Sequence, residues 1–448
     1  MSVAGAIAAT IPKMDASTIA SIQSLQREAA SLLLYQSVLS GEVGIAFLEL
    51  LQTLRQPDRD GFSYLESYSR WFKAQAASNQ SWQEYLVAQI LKDDNPFTQQ
   101  AQKASLSDLP PALVDAAQRD LQALQSIYDC PSAQISCWVQ EACQIPLMPV
   151  VWHQEPEVIS ENELFIREKF ATLESWADAL EDLAAHYQQF GTGIFAEYRA
   201  FRWQSGQMIG IPHADPVKVT ELVGYESQRD ALLKNTEFLL AGYPALHVLL
   251  YGSRGSGKSS LVKGLLNQYE DSQLRLIEVA KSELKALPEI VEKLRGVPQK
   301  FIIFVDDLSF EEDDDAFKAL KVVLEGNITA RPQNVVVYAT SNRRHLIREF
   351  FADRPAPRDG DEVHAWDTVQ EKLSFSDRFG LTLTFESANQ NTYLNIVRHL
   401  AAQQGINLSQ DDLDYRALQW ATRHNGRSGR TARQFVDFLR ADLALSGS

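Results

Sequence analysis

The pattern of apolar and polar positions changes twice along the chain, and the first part has the spacing of helices. Up to about residue 201, apolar side chains recur at three- and four-residue steps between breaker stretches such as RQPDRDG (55–61) and KDDNP (92–96). One stripe predicts a single long amphipathic helix with a buried face: Leu173, Trp176, Leu180, Leu183, Tyr187 and Phe190. We therefore predict a mostly α-helical N-terminal domain over residues 1–209.

The middle of the chain has short apolar, β-branched runs separated by helical or polar segments. These runs predict five strands: Leu246–Tyr251, Leu274–Val279, Phe301–Val305, Val335–Tyr338 and Leu381–Phe385. Strands that alternate with helices pair in parallel and are covered on both faces. The pattern indicates an α/β domain with a five-stranded parallel sheet over residues 210–388, entered through the proline-containing linker GIPHADPVKV (210–219). A helical pattern returns after Asn389 and predicts a small C-terminal helical domain over residues 389–448.

The net charge and the hydropathy of the chain make some classes of protein less plausible than others. The chain has 58 acidic and 42 basic residues and a formal net charge of -16, which argues against broad attachment to nucleic acid or to an anionic membrane but leaves a local basic patch open. No apolar run approaches the roughly 18 residues of a bilayer span. The first residues, MSVAGAIAATIPKM, lack the cationic lead of a secretory signal. We expect a cytoplasmic protein.

The stretch YGSRGSGKSS (251–260) carries the chemistry. It matches G-x-x-x-x-G-K-[ST] between a predicted strand and a predicted helix, the context in which a P-loop binds nucleotide phosphates. Glycines let the backbone N–H groups turn towards phosphate oxygens, and an ordinary glycine turn is the weaker alternative. We predict that Lys258 contacts the β- and γ-phosphates of ATP and that the Ser259 hydroxyl binds Mg²⁺. The predicted phosphate-binding residues are Gly252, Ser253, Arg254, Gly255, Ser256, Gly257, Lys258, Ser259 and Ser260.

A pair of acidic residues follows another predicted strand. In FIIFVDDLSF, Asp306 and Asp307 emerge at the carboxyl end of a strand that is apolar on both faces, where open α/β sheets bind ligands. We predict that Asp306 orients the magnesium shell and that Asp307 polarises the attacking water. Two solvated loop acids are the alternative, and the coupling to the P-loop favours the magnesium site.

With these motifs the chain resembles the AAA+ ATPase superfamily from about Val219 to its end. The segment ELVGYESQRDALLKNTEFLLAG resembles the one that packs against adenine in that family, here around Val223 and Gly224. VVVYATSN resembles the strand that ends in the sensor-1 residue, which implies that Asn342 holds the lytic water. An Asn that caps the next helix is the alternative.

The resemblance also implies roles for two arginines. LSFSDRFGLTLTF is similar to the box that carries an arginine finger, and by that match Arg378 reaches the γ-phosphate in a neighbouring subunit. A surface salt bridge is the alternative. GRSGRTARQFVDFL is similar to the sensor-2 helix of the C-terminal lid, with Arg433 at the matching position and Arg430 as the competing candidate.

A narrower resemblance is to an uncharacterised family of predicted AAA+ ATPases, carried by LEGNITARPQNVVVYATSNRRHLI and EKLSFSDRFG. This narrower resemblance adds little about function. The wider resemblance to AAA+ ATPases implies an oligomeric Mg²⁺-dependent ATPase, and we expect the helical domain to contact an unknown protein client. Many AAA+ proteins have Glu where this chain has Asp307, so slow turnover is expected. Two alternatives remain: a nucleotide-gated binding module with little hydrolysis, and a DNA-remodelling ATPase that uses the basic stretches SNRRHLIR (341–348) and RHNGRSGRTAR (423–433).

Overall fold

The computed structural model describes residues 14–58, 60–153, 161–309, 315–325, 332–342, 378–424 and 426–446. The chain forms two compact units, Met1–Glu197 and Tyr198–Ser448. Residues 343–348 of the basic stretch SNRRHLIR lie outside the described residues. The same holds for residues 373–377 of LSFSDRFGLTLTF, the segment that contains Arg378.

The first unit is helical, as predicted. Its helices are α1 (Ala16–Ser31), α2 (Glu42–Leu54), α3 (Phe62–Ser78), α4 (Trp82–Lys92), α5 (Pro96–Ala101), α6 (Pro111–Tyr128), α7 (Ser132–Cys143), α8 (Glu161–Thr172), α9 (Leu180–Phe190) and α10 (Ile194–Glu197). The start of α4 shows how the sequence sets these bounds: the Ser81 side chain accepts from the Glu84 backbone N–H, and the Glu84 carboxylate accepts from the Ser81 backbone N–H. Phe47, Trp71 and Trp82 pack against one another in its core.

The prediction of one long helix from Leu173 to Phe190 is wrong. Helix α8 ends at Thr172, a single 3₁₀ turn covers Trp176–Ala179, and α9 begins at Leu180. The backbone at Ser175 is extended, and the buried Trp176 indole donates a hydrogen bond to the Phe170 carbonyl oxygen at 2.7 Å. The periodic apolar side chains from Trp176 to Tyr187 are buried as expected, so periodicity gave the buried face but not the break in the helix.

The second unit contains a seven-stranded sheet with the order β2-β1-β4-β5-β6-β3-β7. The strands are β1 (Ala200–Gln204), β2 (Gln207–Ile211), β3 (Val248–Gly252), β4 (Leu274–Val279), β5 (Lys300–Val305), β6 (Val335–Ser341) and β7 (Leu381–Phe385). Strands β3 to β7 are the five predicted ones, and all their pairings are parallel. The predicted fold class is confirmed, with two more strands than expected.

The two additional strands form a hairpin at one side of the sheet. Strand β2 pairs antiparallel with β1, and β1 pairs in parallel with β4. The hairpin turn is Ser205-Gly206, and both residues have positive φ (52° and 80°), as a two-residue type I′ turn requires. Because this hairpin extends the sheet, the second unit begins at Tyr198 and not at the expected residue 210.

The second unit has helices between its strands and after the last strand. They are α11 (Glu226–Leu240), α12 (Lys258–Gln268), α13 (Leu287–Lys293), α14 (Asp315–Glu325), α15 (Gln390–Gln403), α16 (Gln410–Arg423) and α17 (Gly429–Ser446). Helices α15 to α17 pack around a small apolar core of their own and form a lid. The strand order places β6 between β3 and β5, so the carboxyl ends of these three strands lie side by side. Among the described residues, no helix has the length and apolarity needed to cross a membrane.

Candidate functional site

The loop between β3 and α12 has a backbone that only glycine allows at two points. Gly252 has φ 138°, and a Cβ atom there would lie 1.9 Å from the Phe385 carbonyl oxygen of β7. Gly257 has φ 93°, and its Cβ would lie 2.3 Å from Leu222. Left-handed backbone and close approach explain both glycines. The loop is therefore a turn of defined conformation, and α12 begins directly after it.

This loop presents hydrogen-bond donors. Within the part of the chain that the structure describes, the backbone N–H groups of Gly255, Gly257 and Lys258 have no acceptor. They lie at the N-terminal end of α12, where the helix dipole adds positive potential. Such a loop suits an anion with several oxygens, as a phosphate chain is.

The Lys258 side chain crosses the inside of the loop. Its ammonium donates to the carbonyl oxygens of Gly252 at 3.0 Å and Ser253 at 2.7 Å, and lies 3.5 Å from the Ser256 hydroxyl. The residue is only 6% exposed. Burial lowers its pKa below the usual 10.5, while the charges of Asp306 and Asp307 act in the opposite direction. The ammonium is buried and its hydrogen-bond partners are uncharged oxygens, so a bound anion would stabilise its charge more strongly than these partners do.

Oxygen atoms converge next to this cation. The Ser259 hydroxyl, in the first turn of α12, donates to Asp306 Oδ1 at 2.6 Å, and Asp306 follows β5. The Thr340 hydroxyl on β6 donates to the same Asp306 oxygen at 2.5 Å. A hydroxyl and a carboxylate are ligands that Mg²⁺ prefers, so Ser259 and Asp306 fit the predicted magnesium site.

The second acidic residue points towards the end of β6. Asp307 Oδ1 accepts a hydrogen bond from the Asn342 side-chain amide at 2.6 Å. Asp307 has φ 51°, in the left-handed region that Asp tolerates better than most residues. The structure thus brings the Asp307 carboxylate and the Asn342 amide into direct contact, and their roles towards a water molecule stay predictions.

These groups line one cavity of about 660 Å³. The predicted residues among its lining are Val223, Arg254, Gly255, Ser256, Gly257, Lys258, Ser259, Ser260, Asp306, Asp307, Asn342 and Arg433. Apolar side chains also line the cavity: Val219, Leu222, Val223, Ile396 and Leu400. Hydrogen-bond donors and apolar side chains around one cavity suit the two halves of a nucleotide, triphosphate and base.

Three predicted residues support the cavity from outside its lining. Gly252 and Ser253 supply the carbonyl oxygens that hold Lys258. Gly224 has φ 86°, and a Cβ there would lie 2.6 Å from Thr392 of the lid helix α15. Glycine is therefore needed there for backbone conformation and close packing, whereas neighbouring Val223 lines the cavity itself.

The lid contacts the P-loop directly. The Arg430 backbone N–H donates to the Gly255 carbonyl oxygen at 3.1 Å, and the Arg433 guanidinium forms an ion pair with Glu221. Both arginines line the cavity, so the competition between them for the lid role stays open. These contacts join the lid to the P-loop and to Glu221.

Arg378 lies elsewhere. Its guanidinium forms an ion pair with Glu325 at the end of α14, and its side chain is 18% exposed. It is not among the residues that line the cavity of its own chain. This arrangement fits the salt-bridge alternative and is equally compatible with an arginine that serves a neighbouring subunit.

Sequence reasoning missed several residues of the site, among them Thr340 and Glu221. Thr340 precedes Asn342 by two positions, so the two-residue period of a strand places both on one face, and this signal was available in VVVYATSN. Glu221, the partner of Arg433, lies 212 residues away in sequence and had no local signal.

One protein family and several solved structures are similar to this chain. The family DUF815, described as a protein of unknown function, matches residues 196–443. Among solved structures, the RuvB Holliday junction branch migration motor of Thermotoga maritima is 15% identical, with a TM-score of 0.36 over 52% of this chain and 67% of that chain. Domain III of the Thermotoga maritima replication initiation protein DnaA is 15% identical, with a TM-score of 0.36 over 53% of this chain and 92% of that chain. No match is found among the curated proteins. Because the family model covers more than half of the chain, this protein belongs to the DUF815 family.

Proposed function

We propose that this protein binds ATP with Mg²⁺ in the cavity of its second unit and hydrolyses it. The observation that carries the proposal is the 2.6 Å contact between the Ser259 hydroxyl and Asp306 beside a loop of free N–H donors. Cation ligands and anion donors that meet at one point suit a metal-bound phosphate chain and few other ligands.

Each residue has a defined task in this proposal. The loop N–H groups and Lys258 bind the phosphate oxygens, and the ammonium exchanges its bonds to carbonyl oxygens for bonds to a charged partner. Ser259 and Asp306 would hold Mg²⁺, which neutralises charge that develops on the phosphates. The pairing with Asn342 fixes the Asp307 carboxylate so that it can orient a water molecule and accept its proton.

The apolar lining residues are the proposed contacts of the adenine ring. Val219, Leu222 and Val223 line the cavity, as do Ile396 and Leu400 of the lid. A base inserted there would touch both the sheet-bearing part and the lid, so its binding would favour one lid position. This coupling is the proposed route from nucleotide state to conformational change, with Arg433 or Arg430 as the contact from α17.

We further propose that the protein acts as a homo-oligomer in which Arg378 completes a neighbouring site. The support is that Arg378 does not line the cavity of its own chain. The helical first unit is the proposed contact for a protein client. A nucleic-acid client has weaker support because the chain carries a net charge of -16.

The test is to measure ATP turnover, nucleotide affinity and assembly mass on one preparation, with Lys258→Ala as the comparison. We expect Mg²⁺-dependent turnover that rises with protein concentration, and at least about tenfold weaker nucleotide binding by Lys258→Ala, because a charge-assisted contact is lost. Absence of nucleotide binding at millimolar ATP with Mg²⁺ would overturn the proposal. Binding with turnover that is flat across the assembly range would overturn the oligomeric part.

A further inference from the structure

We propose that Thr340 is a positioning residue that sets the orientation of both acidic side chains, Asp306 and Asp307. The inference rests on the proposed function and deepens it. It starts from the place of Thr340 in the sheet: β6 lies between β3, which leads to the P-loop, and β5, which leads to the two aspartates. Thr340 is 2% exposed and stands where the two motifs meet.

The Thr340 hydroxyl makes two hydrogen bonds of opposite sense. It donates to Asp306 Oδ1 at 2.5 Å and accepts from the Asp307 backbone N–H at 3.0 Å. A hydroxyl can donate only one hydrogen bond, so the donor role towards Asp306 and the acceptor role towards Asp307 define its rotamer. One side chain therefore fixes a carboxylate and the backbone of the next residue together.

The first consequence concerns the metal ligand. Asp306 Oδ1 receives three donors: the Ser259 hydroxyl, the Thr340 hydroxyl and the Asp307 N–H at 3.1 Å. For Asp306 Oδ2 there is no donor within the described ranges, and Asp306 lines the cavity. Because Oδ1 is held, the rotation of the carboxylate is fixed and Oδ2 stays available to a cation.

The second consequence concerns Asp307. Its left-handed backbone, φ 51°, is held from both sides by Thr340, whose hydroxyl binds the Asp307 N–H and whose carbonyl oxygen accepts from the Leu308 N–H at 2.7 Å. This conformation brings the Asp307 carboxylate to the Asn342 amide. The turn thus sets the reach of a side chain that is one methylene shorter than Glu, and Thr340 maintains the turn.

A role limited to satisfying buried polar groups gives a different expectation. In that case removal of the hydroxyl would lower stability but would leave the magnesium dependence of nucleotide binding unchanged. Thr236 offers the matched comparison, because it is fully buried and its hydroxyl bonds the Leu232 carbonyl oxygen and the Tyr338 hydroxyl, away from the cavity.

The experiment compares the full-length protein with Thr340→Val, Thr340→Ser and Thr236→Val. Two quantities are measured: the Mg²⁺ concentration at which affinity for a fluorescent ADP analogue is half-enhanced, and kcat and KM for ATP. For Thr340→Val we expect that Mg²⁺ concentration to rise at least about tenfold and kcat to fall at least about tenfold, since hydrogen bonds to a charged group are lost. Affinity for the analogue without Mg²⁺ should stay within about twofold of the unmodified protein.

Thr340→Ser should restore both quantities to within about threefold of the unmodified protein, and Thr236→Val should change neither. If Thr340→Val does not fold, Thr340→Ala is measured in its place, since it removes the same hydroxyl without adding apolar volume. An unchanged magnesium requirement in the hydroxyl-free variant, or equal losses in Thr340→Ser, overturns the inference. An unmodified protein that binds no nucleotide would overturn the proposed function instead, so the two failures are distinct.

Discussion

At the scale of single residues, the phosphate loop depends on backbone that a side chain would block. Gly252 stands at the end of β3 with φ 138°, and the atom nearest to a Cβ there is the Phe385 carbonyl oxygen at 1.9 Å. Backbone of a neighbouring strand cannot rotate away as a side chain can. A side chain at residue 252 would therefore displace either β7 or the loop.

We predict that Gly252→Ala lowers the free energy of unfolding by more than about 3 kcal/mol. Gly296 is the matched control, because it has φ 73° and nothing within 4 Å of the position of a Cβ. Gly296→Ala should cost only the left-handed backbone, about 1–2 kcal/mol. Urea denaturation of both variants measures the difference, and equal losses would contradict the role given to Phe385.

The buried lysine predicts a pH dependence of binding. Burial lowers the pKa of Lys258 below 10.5, and only the protonated side chain attracts phosphate. Nucleotide affinity should therefore be constant at neutral pH and fall as pH rises through the lowered pKa. A terminal phosphate group loses its last proton at about pH 6, so the triphosphate keeps a constant charge over the alkaline range in which the lysine loses its proton.

The measurement is nucleotide affinity between pH 7 and 10.5, with Lys258→Arg as the control. Arginine stays charged throughout, so its affinity, whatever its absolute value, should have no such decline. Parallel curves for the two proteins would show that another group causes the pH dependence.

At the scale of elements, the sequence predicted the strands that have a clear pattern of apolar residues. Strands β3 to β6 are apolar and largely buried, whereas β7 alternates buried Leu383 and Phe385 with exposed threonines. All five strands lie within a few residues of their predicted bounds. Strand β2 gave a weaker signal because it has an open edge and its side chains are exposed or half-buried. The Ser-Gly turn between two five-residue strands was a hairpin signal, although Ser is a less typical first turn residue than Asn or Asp.

The same reasoning separates the predicted from the missed parts of the site. The P-loop and Asp306 follow from local motifs, and their contact follows from parallel strands that end at one edge. The Arg433–Glu221 pair depends on how the lid packs, which no local pattern contains. The break before α9 likewise depends on contacts of Trp176 with Phe170 and with Gln125. Gln125 lies more than fifty residues before Trp176 in the sequence.

The hairpin makes a prediction about where the second unit begins. Residues 198–448 should fold as a stable unit, whereas residues 210–448 should aggregate, because β4 loses its pairing with β1 and two buried side chains, Phe201 and Trp203, are removed. Size-exclusion chromatography and thermal denaturation of the two fragments measure this. Equal melting temperatures would mean that the hairpin is dispensable and that the boundary at residue 210 is adequate.

At the scale of the whole molecule, the proposed function places the catalytic residues of one site on two chains. Lys258, Ser259 and the two aspartates meet in one cavity, while Arg378 is held by Glu325 outside it. A finger that serves a neighbour and a purely structural ion pair differ in one respect. Only the finger can be supplied by a different polypeptide.

We therefore predict complementation between two inactive variants. Lys258→Ala has a defective cavity but an intact Arg378, and Arg378→Ala has the reverse. When equal amounts are mixed and allowed to exchange subunits, half of the cavities are intact and half of their neighbours carry the arginine, so about a quarter of the original ATP turnover should return in a head-to-tail assembly.

The control mixes Lys258→Ala with Asp306→Asn, where every cavity is defective and every arginine is intact, and no turnover should return. Turnover in the first mixture equal to that of the separate variants would assign Arg378 to the structure of its own chain, because an arginine that acts only through Glu325 gains nothing from a neighbour.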